Sequence, residues 1–380
     1  METDFTRTEA SLRSYAKIDL VQIEKNYLVY KEAVKNNRIM AVVKANAYGH
    51  GAVEVARRLE LLGVSDFAVA TLEEALALRR AGVCGEILVL GYTSPEMAET
   101  IYEYNITQTL LSESYASALS KATDKRIKCH AAINTGMNRI GLDGSKPSVA
   151  STQIRDFWHR FELTGIYTHL SCAASGEKDD ERFTLGQLER FSQVVRETRD
   201  LKLKTVHALN SAGGLLYSDY LSAQTNTVRL GIILYGLKPE QSFSLPLGIA
   251  PALSWRCRLT HIFSVERGER IGYGDGFVAK EKMRIGVLSC GYADGYKRCL
   301  SNHANVIIKG KYAKIIGNIC MDQMMVDLTE IEAVEGEAAT LIGKDGDCEI
   351  TADELGELAN TIGYEVVVSI SERTVKKYTK

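Results

Sequence analysis

Residues 39–51 read IMAVVKANAYGHG, and the reading of this stretch decides the fold. Ile39, Met40, Ala41, Val42 and Val43 make an apolar, partly β-branched run, the pattern of a buried strand. The run ends in Lys44, a Gly-bracketed turn follows, and VEVARRLELL continues with helical spacing. Lys44 reads in two ways. A lysine at the tip of a buried strand sits against apolar surroundings, and desolvation lowers its pKa and enlarges the neutral, nucleophilic fraction. That form suits a Schiff base with a carbonyl cofactor. A strand-end lysine reaching into solvent is the plainer reading. The residues after it favour the first. Gly49 and Gly51 let backbone come close to a ligand, and Tyr48 offers a hydroxyl to an anionic group such as a phosphate.

Working outward, a β-then-α rhythm sets in from Ile39. The strand candidates are IMAVVKA, DFAVA, EILVLGY, ITQTLL, IKCHAAIN, ELTGIYTHL, TVHALNS and NTVRLGIILYG. Helical patterns such as LEEALALRRAG, PEMAETIYEY, SESYASALSKA and DDERFTLGQLERFSQVVRETRD lie between them. Eight strands alternating with helices predict an α/β fold, a parallel (β/α)8 TIM barrel, over residues 15–240. AKIDL, a short strand, and the helical VQIEKNYLVYKEAVK precede the rhythm. After Leu237 the pattern turns to strand-like runs with Gly or Asp turns, from LSWRCRLTHIFSV to AATLIGK, with the helix TADELGELANTIGY near the end. This predicts a mainly β domain over residues 241–380, joined by a polar, loosely held segment 1–14. Chemistry in such barrels gathers at the C-terminal ends of the strands. Lys44 ends the first strand and Arg139 follows the fifth. His169 ends the sixth, Asn210 and Ser211 the seventh, and Arg229, Gly231 and Ile232 the eighth.

Bulk properties exclude other classes. A chain of 380 residues, 45% hydrophobic and 25% charged, is an ordinary globular protein with room for two domains. A net charge of −2 gives no footprint for nucleic acid or an anionic membrane. No apolar run approaches the ~18 residues of a membrane span, and METDFTRTEASLRS holds no signal-peptide core. The eight cysteines (Cys84, Cys129, Cys172, Cys257, Cys290, Cys299, Cys320, Cys348) show no CxxC spacing. They read as reduced thiols of a cytoplasmic enzyme, with no metal site expected.

VVKANAYGHG is not alone. With NTGMNRIGL, IYTHLSCA, HALNSAG, ERIGYGDGF, GYADGYKR and CMDQMMVDLT in order behind it, the chain resembles the alanine racemase family of pyridoxal-phosphate (PLP) enzymes, from about Ala16 to the last strand. Taken singly, HALNSAG is also a capped strand-to-helix turn, His169 a buried core histidine, Arg229 a strand-end cap and YGDG a hairpin turn. The resemblance implies more. Lys44 would carry the cofactor. Tyr48, Ser211 and the backbone N–H groups of Gly231 and Ile232 would cradle its phosphate, with Asn210 beside them. His169 would lie against the ring, and Arg229 would face the pyridine nitrogen. A guanidinium hardly gives up its proton, so the ring becomes a weaker electron sink and reprotonation at Cα is favoured over transamination. Racemisation needs an acid/base group on each face of Cα. By resemblance these are Lys44 and Tyr273, the tyrosine made effective by the cation Arg139 and supplied by the second chain of a head-to-tail homodimer. Tyr292 would stand at the substrate's entrance from that second chain. The backbone at Met321 would bind the amino-acid carboxylate, with Asp322 as its neighbour.

Three positions depart from the family pattern. Many members carry a carbamylated lysine where this chain has Ala132, seven residues before Arg139. An inorganic anion, a carboxylate from another strand or the amide of Asn134 is then needed to hold the arginine. Asn134 itself replaces an aspartate. The closing SYR motif reads Ser371-Glu372-Arg373, so a carboxylate stands where the family tyrosine bounds the substrate pocket. The function implied is interconversion of L-alanine and D-alanine for peptidoglycan. The rivals are a serine (serine/alanine) racemase of the vancomycin-resistance type, a fold-related decarboxylase, and a PLP-carrying barrel protein without turnover.

Overall fold

Eight short parallel strands, each a run of mostly buried residues, form one sheet: Arg38–Val42, Asp66–Val69, Glu86–Val89, Thr107–Leu110, Lys128–Asn134, Glu162–Tyr167, Thr205–His207 and Thr227–Leu230. These pairings, and all that follows, come from a computed structural model that describes residues 8–35, 37–220 and 225–379. The last strand pairs with the first, Thr227 opposite Arg38 and Leu230 opposite Ala41. Between the seventh and eighth, Asn226 N donates to Val206 O and Arg229 N to Leu209 O, each at 3.0 Å. Those bonds bring the sheet round on itself, and the predicted barrel is the observed one. Helices separate the strands, among them Leu72–Arg80, Glu113–Lys121, Pro147–Arg160 and Lys178–Glu197.

Strands are shorter than the apolar runs that announced them. The first ends at Val42, the sixth at Tyr167 and the seventh at His207. Lys44, His169 and Asn210 therefore stand two or three residues past the strand ends, in the βα loops, where side chains can turn over the rim. The reason is geometric, since a buried apolar segment need not stay extended once its neighbours' ladders stop.

The second sheet runs Cys348–Ile350, Ala338–Asp345, Asn305–Ile308, Lys311–Ile316, Met324–Asp327, Met283–Leu288, Leu253–Val265, Ser14–Asp19, Val375–Thr379. Leu253–Val265 also pairs back to Ala338–Asp345, with Arg256 opposite Thr340. Val265, Ile271, Met283, Ile285, Ile316 and Met325 build one of its apolar clusters.

One expectation needs correcting. The strand Ser14–Asp19 was assigned with the barrel, yet it pairs antiparallel with Leu253–Val265 and parallel with Val375–Thr379. The preceding segment, expected to be loose, is held where it is described. Leu12 is buried, and Arg13 donates to Ser289 O at 2.7 Å and to the buried Asp294 carboxylate. Residues 1–7 lie outside the described part. The chain divides into two compact units. One holds the described residues of Ile23–Ala47 and Gly51–Ile249, the other those of Met1–Gln22, Tyr48–His50 and Ala250–Lys380.

Candidate active site

Lys44 stands two residues past the first barrel strand, and the four residues after it do something no glycine pattern announces. Ala45, Asn46, Ala47 and Tyr48 all take left-handed backbone, with φ of 50°, 52°, 54° and 52°. Such a conformation costs an L-residue about 1–2 kcal/mol, so the surroundings must impose it. Ala47 N donates to Val43 O at 2.8 Å, and Asn46 Oδ1 accepts from Ala52 N at 2.8 Å. The strongest hold is Glu74. Its carboxylate accepts from Ala45 N at 2.6 Å on one oxygen and from Ala70 N at 2.7 Å on the other. The same side chain closes a capping box with Thr71 at the start of Leu72–Arg80. Glu74 was not among the expected site residues. Its Thr-x-x-Glu spacing marked a helix start, but nothing local in the sequence pointed it at the lysine turn.

The electrostatics of the rim follow from its composition. Burial lowers the pKa of Lys44, Arg139 and Arg229 lower it further, and Glu74 opposes them. Arg229 is buried, and burial with the charge of Arg139 brings its guanidinium down to about 10. No carboxylate among the described residues holds it. It donates to His207 Nδ1 at 2.8 Å, to His169 Nδ1 at 3.1 Å, and to the carbonyls of Thr168, His207 and Ala208 at 2.7, 3.1 and 3.2 Å. The ring of Tyr167 lies beneath it, 5.3 Å from the guanidinium carbon.

These bonds settle tautomers. An arginine only donates, so Nδ1 of both His169 and His207 must accept. Burial, reinforced by Arg229, holds both imidazoles well below their ordinary pKa, hence neutral, with the proton on Nε2. His207 Nε2 then donates to His130 Nδ1 at 3.0 Å, and His130 keeps its proton on its own Nε2. Burial brings His130 down to about 3. A directed chain therefore runs from Arg229 through the barrel interior to a cavity of about 90 Å³ lined by His130, Asp66, Glu86 and Lys128.

The other expected barrel residues are in place with particular tasks. Ser211 Oγ accepts from Gly231 N at 2.8 Å, joining the loops after the seventh and eighth strands. Ile232 opens the 3₁₀ turn Ile232–Tyr235 next to it. Asn210 works as a helix cap, accepting from Gly213 N at 2.9 Å and donating to Leu170 O at 3.3 Å. Arg139 is exposed and makes no hydrogen bond or ion pair among the described residues. The Asn134 amide does not hold it, because Nδ2 donates to Asn138 Oδ1 at 3.0 Å and Oδ1 accepts from Gly136 N and Asn138 N. A cavity of about 20 Å³ lies between Ala132, Asn134, Arg139 and His169.

Tyr48, Tyr273, Tyr292, Met321 and Asp322 belong to the other unit. Tyr48 is buried, which pushes its phenol up, and its ring packs edge-on to Tyr364 with centroids 6.0 Å apart. Tyr273, Tyr292 and Met321 are exposed. Asp322 Oδ1 accepts from Arg373 at 2.7 Å, while the neighbouring Glu372 is exposed. The barrel rim fits PLP. Three cations, Lys44, Arg139 and Arg229, act on one another with Glu74 as the opposing carboxylate, an environment made for an anionic group. Arg229, bound among the described residues by neutral acceptors and an aromatic face, would present a cation to a ring nitrogen.

Comparison with known proteins agrees with this arrangement. Residues 18–239 match the alanine racemase N-terminal domain, and residues 252–378 match the alanine racemase C-terminal domain. Alanine racemase 1 of Clostridium acetobutylicum is 36% identical over 373 residues, which is 96% of this chain and 95% of that protein. The crystal structure of alanine racemase from Bacillus anthracis with bound L-Ala-P superposes with a TM-score of 0.88 at 33% identity, over 97% of this chain and 95% of that one. Alanine racemase from Bartonella henselae with covalently bound pyridoxal phosphate gives 0.85 at 28% identity, over 97% and 99%. This chain belongs to the alanine racemase family of pyridoxal-phosphate enzymes.

Proposed function

We propose that the protein interconverts L-alanine and D-alanine, with Lys44 and Tyr273 as acid/base groups on opposite faces of the substrate Cα. The observation that carries this is the pairing of a Lys44 amine biased toward its neutral form with an Arg229 held by neutral acceptors alone. When bound, PLP supplies an electron-withdrawing ring conjugated to the substrate Cα. The chain does the rest. Lys44 Nζ would take or return a proton on its side of Cα. Tyr273 Oη does so on the other, helped by the charge of Arg139. Arg229 keeps its proton and so would leave the ring nitrogen without one, limiting electron withdrawal and favouring return of a proton to Cα. Ser211, Gly231, Ile232 and Tyr48 hold the phosphate, with Asn210 shaping the turn beside it and His169 against the ring. The Met321 backbone would receive the substrate carboxylate, with Asp322 beside it.

The working form in this reading is a head-to-tail homodimer, each chain supplying Tyr273 and Tyr292 to the other's barrel. It acts in the cytoplasm, where D-alanine serves peptidoglycan. The exposure of Tyr273 and Tyr292 supports a role toward a second copy. Purified holoenzyme assayed by chiral chromatography against L-alanine, L-serine and a panel of other L-amino acids tests the substrate. Alanine is expected to turn over fastest; a preference for serine would overturn the assignment and point to Glu372 as its cause.

A further inference from the structure

Tyr273 sits in a turn whose flanking glycines, Gly272 and Gly274, take left-handed backbone at φ of 78° and 63°. Its side chain is 71% exposed and its hydroxyl makes no hydrogen bond among the described residues. The ring is therefore aimed by its backbone, and that backbone is tied down at identifiable points. Ile271 N donates to Phe277 O at 3.0 Å across the base of the turn. Asn302 Nδ2 donates to Gly276 O at 3.1 Å on its far side. At Tyr273 itself, the carbonyl accepts from Asn318 Nδ2 at 2.8 Å. The ion pair of Arg270 and Asp275 adds little, because both side chains are mostly in water.

Asn318 is itself well founded. Gly317 N donates to Asn302 Oδ1 at 2.7 Å, Ile319 N to Ser301 Oγ at 3.0 Å and Cys320 N to Gln323 O at 2.9 Å. Asn302 thus bridges the two segments, one polar group of its amide on each. The fit is close, since a Cβ at Gly276 would lie 2.8 Å from Asn318 Nδ2 and one at Gly317 would lie 2.6 Å from Ile271 O. The segment that carries Asn318 runs straight into Met321 and Asp322.

We propose that Asn318 is a positioning residue for Tyr273. Its amide holds the carbonyl of the tyrosine and so sets where the hydroxyl reaches. It also ties the tyrosine's turn to the segment presenting Met321 and Asp322, so that acid/base group and carboxylate site move as one body. The inference rests on the acid/base role of Tyr273 proposed above. A misplacement of about 1 Å in such a group costs on the order of a hundredfold in rate, so one backbone anchor carries a large effect.

Asn318→Asp keeps the shape and removes the donor, setting an acceptor against the Tyr273 carbonyl. Wild-type and variant holoenzymes are compared in D2O by the initial rate of α-hydrogen exchange into each alanine enantiomer. Amide hydrogen exchange across residues 270–278 is read in the same samples by mass spectrometry. The expected result is a roughly ten- to hundredfold loss of exchange for one enantiomer, near-wild-type exchange for the other, unchanged cofactor absorbance, and faster amide exchange confined to this turn. Equal slowing of both enantiomers, or no slowing, would overturn the proposal. If the wild-type enzyme exchanges neither enantiomer, the racemase reading fails instead. The amide measurement then decides the anchor alone: loss of protection in the variant upholds it and unchanged protection refutes it.

Discussion

Arg139 and His130 show what single side chains contribute. With Ala132 in place of a lysine, no carbamate can form beside Arg139, and its guanidinium meets neither a carboxylate nor the Asn134 amide among the described residues. We expect a small anion in the cavity beside Ala132 to serve as its counter-charge. Replacing halide by a bulky anion at constant ionic strength should lower activity, while bicarbonate should leave it unchanged. Activation by bicarbonate with indifference to halide would contradict this. His130 gives a pH effect with a definite sign. Its imidazole titrates at about 3 in the fold against 6.5 in an unfolded chain, so below pH 6.5 the unfolded chain takes up a proton that the folded one refuses. Stability is intact above that pH and falls on acidification, by about 2 kcal/mol from this residue at pH 5. Denaturant titrations at pH 7 and pH 5 should show this loss shrinking in His130→Asn. An unchanged pH dependence would mean that His130 is not the buried neutral base inferred from its bonds.

At the level of elements, the turn after Lys44 depends on the helix Leu72–Arg80 through Glu74. Glu74→Gln leaves one acceptor oxygen where three backbone N–H groups, of Ala45, Ala70 and Thr71, now bond to two, and an unsatisfied group of that kind costs about 1–3 kcal/mol. The substitution also removes the one carboxylate that raises the Lys44 pKa. The pH at which apo-protein Lys44 can be trapped by an aldehyde and borohydride should shift downward. An upward shift would reverse the electrostatics described here. This contact also shows where sequence reading stops. The barrel was legible because its strands are continuous apolar runs at regular spacing, and most rim residues followed from position. The left-handed Ala45–Asn46–Ala47–Tyr48 turn was not, since of these residues only Asn46 adopts that backbone readily, and a run of four is imposed by bonds to the surroundings. Nor was the place of Ser14–Asp19 legible, because its pairing partners lie at the far end of the chain and leave no local mark. HALNSAG was legible as a capped helix start with its serine as the cap, but the capping side chain is that of Asn210, one residue earlier.

On the scale of the whole molecule, the account requires two chains. Lys44 and Tyr273 belong to different units, and each barrel is to receive its tyrosine from the other copy. Mixing inactive Lys44→Ala chains with inactive Tyr273→Phe chains should restore activity through hybrid dimers. No recovery, with subunit exchange confirmed by mass, would place both bases in one chain. Lys44 with its lowered pKa, a second base and a proton-retaining Arg229 are proposed to return the substrate proton to Cα. Holoenzyme incubated with L-alanine in D2O tests this most directly, with the enantiomers and α-deuterium followed to equilibrium. The account predicts D-alanine carrying deuterium at Cα and an equal mixture of the two enantiomers at the end; L-alanine recovered unexchanged, or pyruvate as the main product, would contradict it.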